Sequence, residues 1–451
     1  MNPHNSPRHR AKVTGDLDLL NTTFDRLFAL ENFGIKLGLE NISRLCEALG
    51  HPERAFRSLH VAGTNGKGSV TAMAHTALLA AGMRSGRYTS PHLSDLTERF
   101  VIDDRPVDSA LLESAVEDVL ACADRLRASG ALTVHPTFFE ATTAAAFELF
   151  RRSGVAIGVI EVGLGGRFDA TNVISPVAGA ITTIDFDHQQ HLGDTLGAIA
   201  FEKAGIIKPG MTVVMGDLRP EAADVIRRCA AERGAALVEA AHDTQSQAEI
   251  VDGRARLTLT TPSASYGPVT LGLRGEHQVG NAIVAVRLLE VAAASGIAIS
   301  RDAIEHGLAA ASWPARLELL TLDGGRRVLL DAAHNPEGAR ALATYLTRWH
   351  PERPPLVIGV MRDKNVADIA NTLLPVVGPV IATAAPTPRA IPAADLARHL
   401  RAAGATDVQS EPDPIIAIEK AFESADTVCV AGSIFLAGAV RDELRQRAIH
   451  R

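Results

Sequence analysis

The segment from Ser58 to Gly82, SLHVAGTNGKGSVTAMAHTALLAAG, contains an apolar stretch, a glycine-rich stretch and an alanine-rich stretch in that order. This order predicts a buried strand, a loop and a helix. At such a junction glycines let backbone N–H groups close around phosphate oxygens, a lysine supplies positive charge and a following hydroxyl can hold Mg²⁺. Residues 63–69, GTNGKGS, therefore predict a phosphate-binding loop, with an ordinary glycine turn as the alternative. The standard pattern G-x-x-x-x-G-K-[ST] is not met, because Val61 replaces its first glycine and Gly68 follows Lys67 directly.

Apolar strands and amphipathic helices alternate on both sides of this loop. The continuous apolar stretches at 155–163 (VAIGVIEVG) and 177–185 (VAGAITTID) are typical of strands in a parallel sheet that helices cover on both faces. Between about 240 and 275 the chain becomes Thr-rich and alternating, which predicts a small antiparallel part. The alternation restarts after WPARLE (313–318). We expect an α/β protein of two domains: a mainly parallel P-loop domain over 1–300, and a smaller Rossmann-like domain over 301–451.

Composition limits the partners and the location of the chain. Its 451 residues carry a net charge of −7, so no overall basic field favours nucleic acid. No stretch approaches the roughly 18 apolar residues of a membrane span. The polar N-terminus has no apolar secretory core, and we expect its first ~15 residues to form a loose arm. The four cysteines are scattered without a CxxC pair, so we expect no disulfide framework and a cytoplasmic location. We also expect a monomer.

The loop GTNGKGS resembles the ATP loop of folylpolyglutamate synthases and bifunctional dihydrofolate synthases, which belong to the Mur ligase superfamily. Further blocks of the family pattern follow along almost the whole chain. They are YTSPHL (88–93), EVGLGGRFDATNV (161–173), DHQQHLGDTLGAIAFEKAGIIKPG (187–210), HQVGNA (277–282), SWPARLE (312–318), DAAHNP (331–336) and AGSIFLAGAVR (431–441). Because these blocks occur in the expected order, we identify the chain as a member of this family.

The resemblance implies an ATP site and a magnesium site. It implies that Lys67, Lys203 and His188 are catalytic, and that Lys203 is carbamylated, so that its amine becomes a carboxylate-like oxygen donor. The implied ligands of two Mg²⁺ ions are Ser69, Glu140, His188 and carbamylated Lys203. The implied ATP contacts are Gly63, Thr64, Asn65, Gly66, Lys67, Gly68, Ser69, Asn281, Arg316, Asp331 and His334. An isolated helical Glu or a lone His would otherwise be read as a solvated or a structural residue.

Other matching positions have less defined roles. Arg167 and Asp169, in the glycine-rich loop GLGGRFDATN, are possible substrate contacts, while the roles of Lys364 and Arg389 stay open. The GLGGRFDATN loop lacks GxGxxG spacing, so we reject a dinucleotide fingerprint. His191 lies three residues after His188 without an HExxH pattern or a cysteine partner, so we do not predict zinc there.

The resemblance implies a C–N bond-forming ligase of EC 6.3.2 type in folate biosynthesis and one-carbon metabolism. It would join L-glutamate to dihydropteroate, to a reduced folate or to both, with ATP and through an acyl phosphate; the choice of acceptor stays open. One alternative is a muropeptide ligase of the same superfamily, whose ATP loop typically has Lys-Thr-[Thr/Ser] where this chain has Lys67-Gly68-Ser69. The other is a nucleotide-binding regulatory ATPase. We expect only small-molecule partners, with no nucleic acid and no membrane.

Overall fold

A computed structural model describes residues 22–448 except 35 and 37. The predicted N-terminal arm lies outside these residues. Of the helices in the described range, none combines the length and the apolar character needed to cross a membrane. Fifteen α-helices are described. They are α1 Thr23–Ala29, α2 Glu40–Ala48, α3 Lys67–Ala80, α4 Ser109–Ala128, α5 Phe138–Arg152, α6 Gln189–Leu192, α7 Leu196–Ala204, α8 Pro220–Glu232, α9 His277–Ala294, α10 Arg301–Ala310, α11 Pro336–Trp349, α12 Val366–Leu373, α13 Ala393–Ala402, α14 Pro414–Ala421 and α15 Ile434–Gln446.

The described strands form three sheets. The first contains β1 Arg57–Ala62, β2 Ser85–Tyr88, β3 Phe100–Ile102, β4 Arg105–Pro106, β5 Ile157–Glu161, β6 Ala178–Ile181, β7 Thr212–Met215 and β8 Ala236–Glu239. The second contains β9 Gln245–Val251, β10 Arg254–Thr260 and β11 Ser265–Arg274. The third contains β12 Glu318–Thr321, β13 Arg327–Leu330, β14 Leu356–Ile358, β15 Val380–Ala382, β16 Val408–Ser410 and β17 Thr427–Ala431.

The first sheet has the order β4-β3-β2-β5-β1-β6-β7-β8. Its strands β2, β5, β1, β6, β7 and β8 pair in parallel, whereas β3 pairs antiparallel with β2 and β4 pairs antiparallel with β3. Strand β1 pairs with β5 on one side and β6 on the other, so the loop that follows it lies at the middle of the carboxyl edge of the sheet. Ligands of open α/β sheets bind at this edge.

The antiparallel part is the three-stranded sheet of order β11-β10-β9. Its apolar side chains Leu257, Leu259 and Leu271 share one buried cluster with α3 and α9, so this sheet packs on the first domain as the sequence indicates. The third sheet has the order β12-β13-β17-β14-β15-β16 and is parallel apart from β12. The α/β class with a second, smaller α/β part is therefore confirmed.

The packing of helix α10 indicates where the boundary between the two domains lies. A Cβ at Gly307 of α10 would lie 2.6 Å from the Cβ of Ala77 in α3, and Ile304 and Leu308 are buried in the same cluster as α3. The predicted boundary at 300/301 would separate α10 from this packing. We propose that the boundary lies after α10. Below, the N-terminal unit means α1–α10 with the first two sheets, and the C-terminal unit means α11–α15 with the third sheet.

Candidate active site

A cleft of about 750 Å³ lies between the two units. The loop after β1 lines it from the N-terminal unit, and the start of α11 lines it from the C-terminal unit. All the residues that the sequence predicts for the ATP and metal sites lie in its wall: Gly63, Thr64, Asn65, Gly66, Lys67, Gly68, Ser69, Glu140, His188, Lys203, Asn281, Arg316, Asp331 and His334. The fold thus brings together residues that are up to 271 positions apart in the chain, from 63 to 334.

The loop 63–69 needs glycine at two left-handed positions. Gly63 has φ 151° and Gly66 has φ 84°, and a Cβ at Gly63 would lie 1.9 Å from Oγ1 of Thr182. The hydroxyl of Thr182 donates a 2.5 Å hydrogen bond to the carbonyl of Asn65. Lys67 begins α3 and its Nζ donates to the carbonyls of Gly63 and Thr64, at 3.1 and 3.0 Å. The charge of Lys67 therefore lies within the loop, beside the N-terminus of the helix.

Gly68, where this loop departs from the standard pattern, lies against the indole of Trp313. A Cβ at position 68 would lie 2.5 Å from the nearest ring carbon. The Arg87 guanidinium stacks over the same ring at 4.9 Å, within cation–π range. Sequence reasoning missed Trp313, although its position in the SWPARLE block was a signal for it. The absence of a side chain at Gly68 therefore leaves room for the Trp313 ring, which forms part of the cleft wall.

Lys203 of α7 is buried beside this loop. Its Nζ donates a 2.8 Å hydrogen bond to the carbonyl of Gly63, and its side chain is 4% exposed. Burial lowers the pKa of the Lys203 amine to about 7, and the nearby charge of Lys67 acts in the same direction. An amine with this pKa is substantially neutral at physiological pH, as addition of carbon dioxide requires.

His188 follows β6 in a left-handed turn, with φ 50°. Burial lowers the pKa of its imidazole to about 4, so the ring is neutral near pH 7 and keeps a lone pair for a ligand. The neighbouring Asp187 accepts a 2.6 Å hydrogen bond from Lys364, a residue whose role the sequence left open. Burial alone would raise the pKa of Asp187, but the His334 ring, whose Nε2 lies 3.7 Å from its Oδ2, and the charges of His188 and Lys364 together hold that pKa well below its usual range.

Two buried glutamates, Glu140 and Glu161, line the cleft at different places. Glu140 caps α5, because its Oε2 accepts from the backbone N–H of Thr137 at 2.7 Å, while its Oε1 is buried without a partner. Glu161 ends β5 and lies opposite Val61 in the register, directly beside the start of the phosphate loop. Burial raises the pKa of Glu161, and the charges of Lys67, Arg316 and Arg87 oppose that rise. Sequence reasoning missed Glu161, although it begins the EVGLGG block.

Helix α9 supplies polar groups beside the loop. Gln278 is fully buried and its Nε2 donates to Oγ of Ser69 at 3.2 Å. Asn281 donates to Gln278 at 2.9 Å, and its Oδ1 lies 2.3 Å from the position that a Cβ of Gly66 would take. The predicted residues Ser69 and Asn281 therefore belong to one hydrogen-bonded group, which holds the loop from the side of α9.

Arg316 enters the cleft from the turn before β12. Asp331, at the end of β13, accepts backbone N–H bonds from Leu317 and from Ala333, both at 2.8 Å. Burial raises the pKa of Asp331, and the charge of Arg316 opposes this. Ala315 and Leu317 on either side of Arg316 have φ 53° and 48°, a left-handed backbone that costs roughly 1–2 kcal/mol per residue. Asp331 thus stabilises the turn that carries Arg316.

The phosphate loop is also bonded across the cleft. The amide of Asn65 donates to the Glu337 carboxylate at 2.5 Å, and Asn335 donates to Oδ1 of Asn65 at 3.1 Å. Thr183 donates to the same Glu337 carboxylate at 3.2 Å. Burial raises the pKa of Glu337, while its hydrogen bond from Asn65 opposes the rise. Neither Asn335 nor Glu337 was predicted as a site residue, because nothing in DAAHNPEG indicates a partner 270 residues away.

The loop GLGGRFDATN is stabilised by hydrogen bonds between its own residues. Asp169 is buried; its Oδ2 accepts from the N–H of Leu164 at 2.8 Å and its Oδ1 from the N–H of Thr171 at 3.0 Å. Arg167 stacks over Phe168 at 4.6 Å and pairs with Glu202 at 3.8 Å. Asp169 lines the cleft, whereas Arg167 is not part of its wall. Their predicted substrate contacts stay predictions.

Several donors fit Mg²⁺, which prefers hard oxygen ligands and shares them with phosphates. Within the described part of the chain, no three His, Cys, Asp or Glu side chains form a ready-made metal cluster. The donors present are the Ser69 hydroxyl, the neutral ring of His188, the unpartnered Oε1 of Glu140 and the Glu161 carboxylate, and carbamylation of Lys203 would add another oxygen donor. This set suits an ion that also binds nucleotide oxygens, as the sequence predicts.

The comparisons with known proteins agree with this geometry. A model of the Mur ligase middle domain matches residues 61–289, and a model of the Mur ligase glutamate ligase domain matches residues 315–434. Folylpolyglutamate synthase of Lacticaseibacillus casei is 36% identical over 418 residues, which cover 89% of this chain and 93% of that protein. Dihydrofolate synthase/folylpolyglutamate synthase of Bacillus subtilis is 35% identical, covering 92% of this chain and 96% of that protein.

Solved structures of relatives have the same fold. Mycobacterium tuberculosis folylpolyglutamate synthase complexed with ADP aligns with a TM-score of 0.87 at 32% identity, covering 95% of this chain and 99% of that one. Escherichia coli FolC in complex with DHPP and ADP aligns with a TM-score of 0.83 at 28% identity, covering 96% and 100%. With its two-unit fold, its glycine-rich loop and its cleft between the units, the chain belongs to the folylpolyglutamate synthase/dihydrofolate synthase family of the Mur ligases.

Proposed function

We propose that this chain uses ATP to join L-glutamate to the carboxylate of a folate-type acceptor, dihydropteroate, a tetrahydrofolate or both, through an acyl phosphate. The observation that carries the proposal is the cleft itself: the loop 63–69 with Lys67 lies on one side and Arg316 on the other. Relatives of the same fold are complexed with ADP, and one also with DHPP. We place the activity in the cytoplasm, which the four unpaired, buried cysteines support.

The reaction proceeds in two steps, and each step needs positioning and charge neutralisation. A carboxylate is a poor electrophile, so its oxygen accepts the γ-phosphoryl group of ATP, ADP leaves, and the resulting acyl phosphate has a good leaving group. The glutamate amine then attacks the carbonyl carbon, phosphate leaves and a proton is released. No covalent protein intermediate is needed, and catalysis consists of positioning and charge neutralisation.

The roles we propose follow from position. The N–H groups of residues 63–69 bind phosphate oxygens, Lys67 and Arg316 neutralise the charge of the transferred group, and Asn281 supports the loop. Asp331 and His334 form part of the cleft wall in the C-terminal unit. When bound, Mg²⁺ supplies further positive charge at the phosphates, and Ser69, His188, carbamylated Lys203 and one of the two buried carboxylates would hold up to two ions.

One assay tests the function. ADP formation is measured with dihydropteroate and with tetrahydrofolate, each with and without L-glutamate, and with a UDP-linked muropeptide precursor as the alternative acceptor. We expect ADP only when both a folate-type acceptor and glutamate are present. ADP formation without an acceptor would instead support the regulatory ATPase, and turnover with the muropeptide would support the other ligase branch.

We expect Gly68→Ala to raise the KM for ATP about 10-fold or more. Its Cβ would meet the Trp313 ring at 2.5 Å, and overpacking of this kind typically costs about 1–3 kcal/mol, or 5- to 150-fold in binding. Gly280→Ala is the control, since a Cβ in that helical position meets nothing within 4 Å. Steady-state kinetics of both variants check this. Equal KM values for the two variants would contradict the proposed packing.

Matched substitutions of Glu161 and Glu140 show which of these two buried glutamates contributes more to magnesium binding. Glu161 interacts with Lys67 and Arg316, whereas the hydrogen-bond partners of Glu140 are Thr137 and Asn41. We therefore expect Glu161→Gln to lower kcat about 10- to 100-fold and to raise the Mg²⁺ concentration needed for half-maximal rate. Glu140→Gln keeps an acceptor for the Thr137 N–H, and we expect a smaller change. A magnesium titration of both variants decides, and the reverse ranking would make Glu140 the metal carboxylate, as the sequence predicts.

A further inference from the structure

The turn that carries Arg316 has an unusual backbone. Ala315 and Leu317 are both non-glycine residues in the left-handed region, and both are fully buried. Such a conformation persists only where the surrounding structure imposes it. Asp331 imposes part of it through the N–H of Leu317, and the N–H of Ala332 binds the carbonyl of Ala315 at 2.9 Å.

A second carboxylate holds the other side of this turn. Oε2 of Glu318 accepts the backbone N–H of Ala315 at 2.8 Å. The same carboxylate accepts two bonds from the Arg441 guanidinium, from Nε at 2.8 Å and from the terminal nitrogen at 3.0 Å. The Arg441 side chain is 12% exposed and that of Glu318 is 19% exposed. A bidentate arginine–carboxylate pair with little access to water is fixed in both distance and direction.

The pair acts at a distance from the ligand. Among the described residues that line the cleft, Arg316 and Leu317 are present but Glu318 and Arg441 are not. Glu318 begins β12 and Arg441 lies on α15, so the pair joins the last helix of the chain to the turn before the third sheet.

We propose that Glu318 and Arg441 are positioning residues for Arg316. Arg441 fixes the Glu318 carboxylate, the carboxylate fixes the N–H of Ala315, and the left-handed turn then presents the Arg316 guanidinium to the nucleotide phosphates. The role of Arg316 in this inference rests on the proposed function. The pair itself is a separate element, which determines how well a phosphate ligand is held and leaves the acceptor and glutamate sites unaffected.

The first test is Arg441→Met. We expect the Kd for ADP, measured by calorimetry, and the KM for ATP to rise about 10-fold, with the KM values for the folate acceptor and for glutamate unchanged. Arg441→Lys keeps a charge and one hydrogen bond to Glu318, and we expect it to recover part of the loss. The control is Arg447→Met, which removes a more exposed pair with Glu419 near the end of the same helix. Equal losses in the two methionine variants would overturn the proposal.

A double-mutant cycle separates positioning from general stability. In an Arg316→Ala background, Arg441→Met should add less than about 2-fold to the Kd for ADP, because the group that it positions is already absent. An undiminished 10-fold loss in that background would overturn the proposal. Glu318→Gln keeps an acceptor for the Ala315 N–H but weakens the pair, and it replaces Arg441→Met if that variant does not fold. ADP binding needs no acceptor, so failure of the acceptor assay would reject the proposed function and leave this result interpretable.

Discussion

Replacing Lys67 with methionine is expected to lower kcat about 1,000-fold or more. The Nζ of Lys67 lies against the carbonyls of Gly63 and Thr64, inside the loop that would surround the phosphates. Methionine has a similar length without the charge, so the loop keeps its backbone while the transferred phosphoryl group loses a stabilising cation. Single groups of this kind contribute about 10²- to 10⁵-fold in phosphoryl and acyl transfer. ADP formation under saturating substrates measures the effect.

The control for this variant is Lys420→Met. Lys420 pairs with Glu411 on the surface of the C-terminal unit, and its side chain is 40% exposed. We expect wild-type kinetics from it, because neither residue of the pair lines the cleft and an ion pair near the surface contributes little to stability. A Lys67→Met enzyme with more than about a tenth of the wild-type kcat would contradict the role of Lys67 in the proposed function.

The second large effect concerns Lys203. We expect Lys203→Met to lose activity at least 100-fold and to lose a carbamate signal that the wild-type chain shows in ¹³C NMR with labelled bicarbonate. The amine that receives carbon dioxide must be neutral, and burial lowers its pKa to about 7. The neutral fraction therefore grows as pH rises through 7, so carbamylation at limiting carbon dioxide should rise from pH 6 to pH 8. Lys208→Met is the control, since Lys208 lies in the same segment but binds the carbonyl of Asn172.

The same pKa shift predicts a stability difference in buffer free of carbon dioxide. The folded-state pKa of Lys203 lies below its ordinary value of 10.5, so the unfolded chain holds more protons between pH 7 and 10.5 and the wild-type chain gains stability as pH rises through that window. Lys203→Met removes this penalty. Its gain in Tm over the wild type should be larger at pH 6.5 than at pH 9. A full-activity wild type without a carbamate signal would contradict the modification, and a constant Tm difference would contradict the burial of a titrating amine.

Local patterns predict much of this fold because they act over a few residues. The strand, loop and helix around Lys67 follow from the order of apolar residues and glycines, although α3 begins at Lys67, three residues before the apolar run that indicates it. The antiparallel part was predicted from Thr-rich alternation, and β9–β11 confirm it. Strand β8 was not predicted: it is a partly exposed edge strand of four residues, and its apolar stretch AALV (235–238) is too short to be told from the end of the helix before it.

Residues that have a role in the family pattern were predicted as site residues. Residues that only packing brings to the site were missed. All the predicted ATP and metal residues line one cleft, but their individual roles stay predictions. Trp313, Glu161 and Glu337 were missed as site residues. Trp313 is set by its contact with Gly68, Glu161 by the register of β5 against β1, and Glu337 by its hydrogen bond to Asn65. These contacts arise only when distant strands and both units come together, so the blocks SWPARLE and EVGLGG contain Trp313 and Glu161 without showing what either residue contacts.

Gly438 on α15 has a consequence for recombining this chain with its relatives. A Cβ at this position would lie 2.0 Å from the carbonyl oxygen of Leu93, in the loop after β2, so the last helix of one unit touches the backbone of the other where only a hydrogen atom fits. A chimera that joins the N-terminal unit of this chain to the C-terminal unit of another ligase would need glycine at the matching position. Compatibility between exchanged units should therefore depend on this residue as well as on the hydrogen bonds across the cleft, such as that from Asn65 to Glu337.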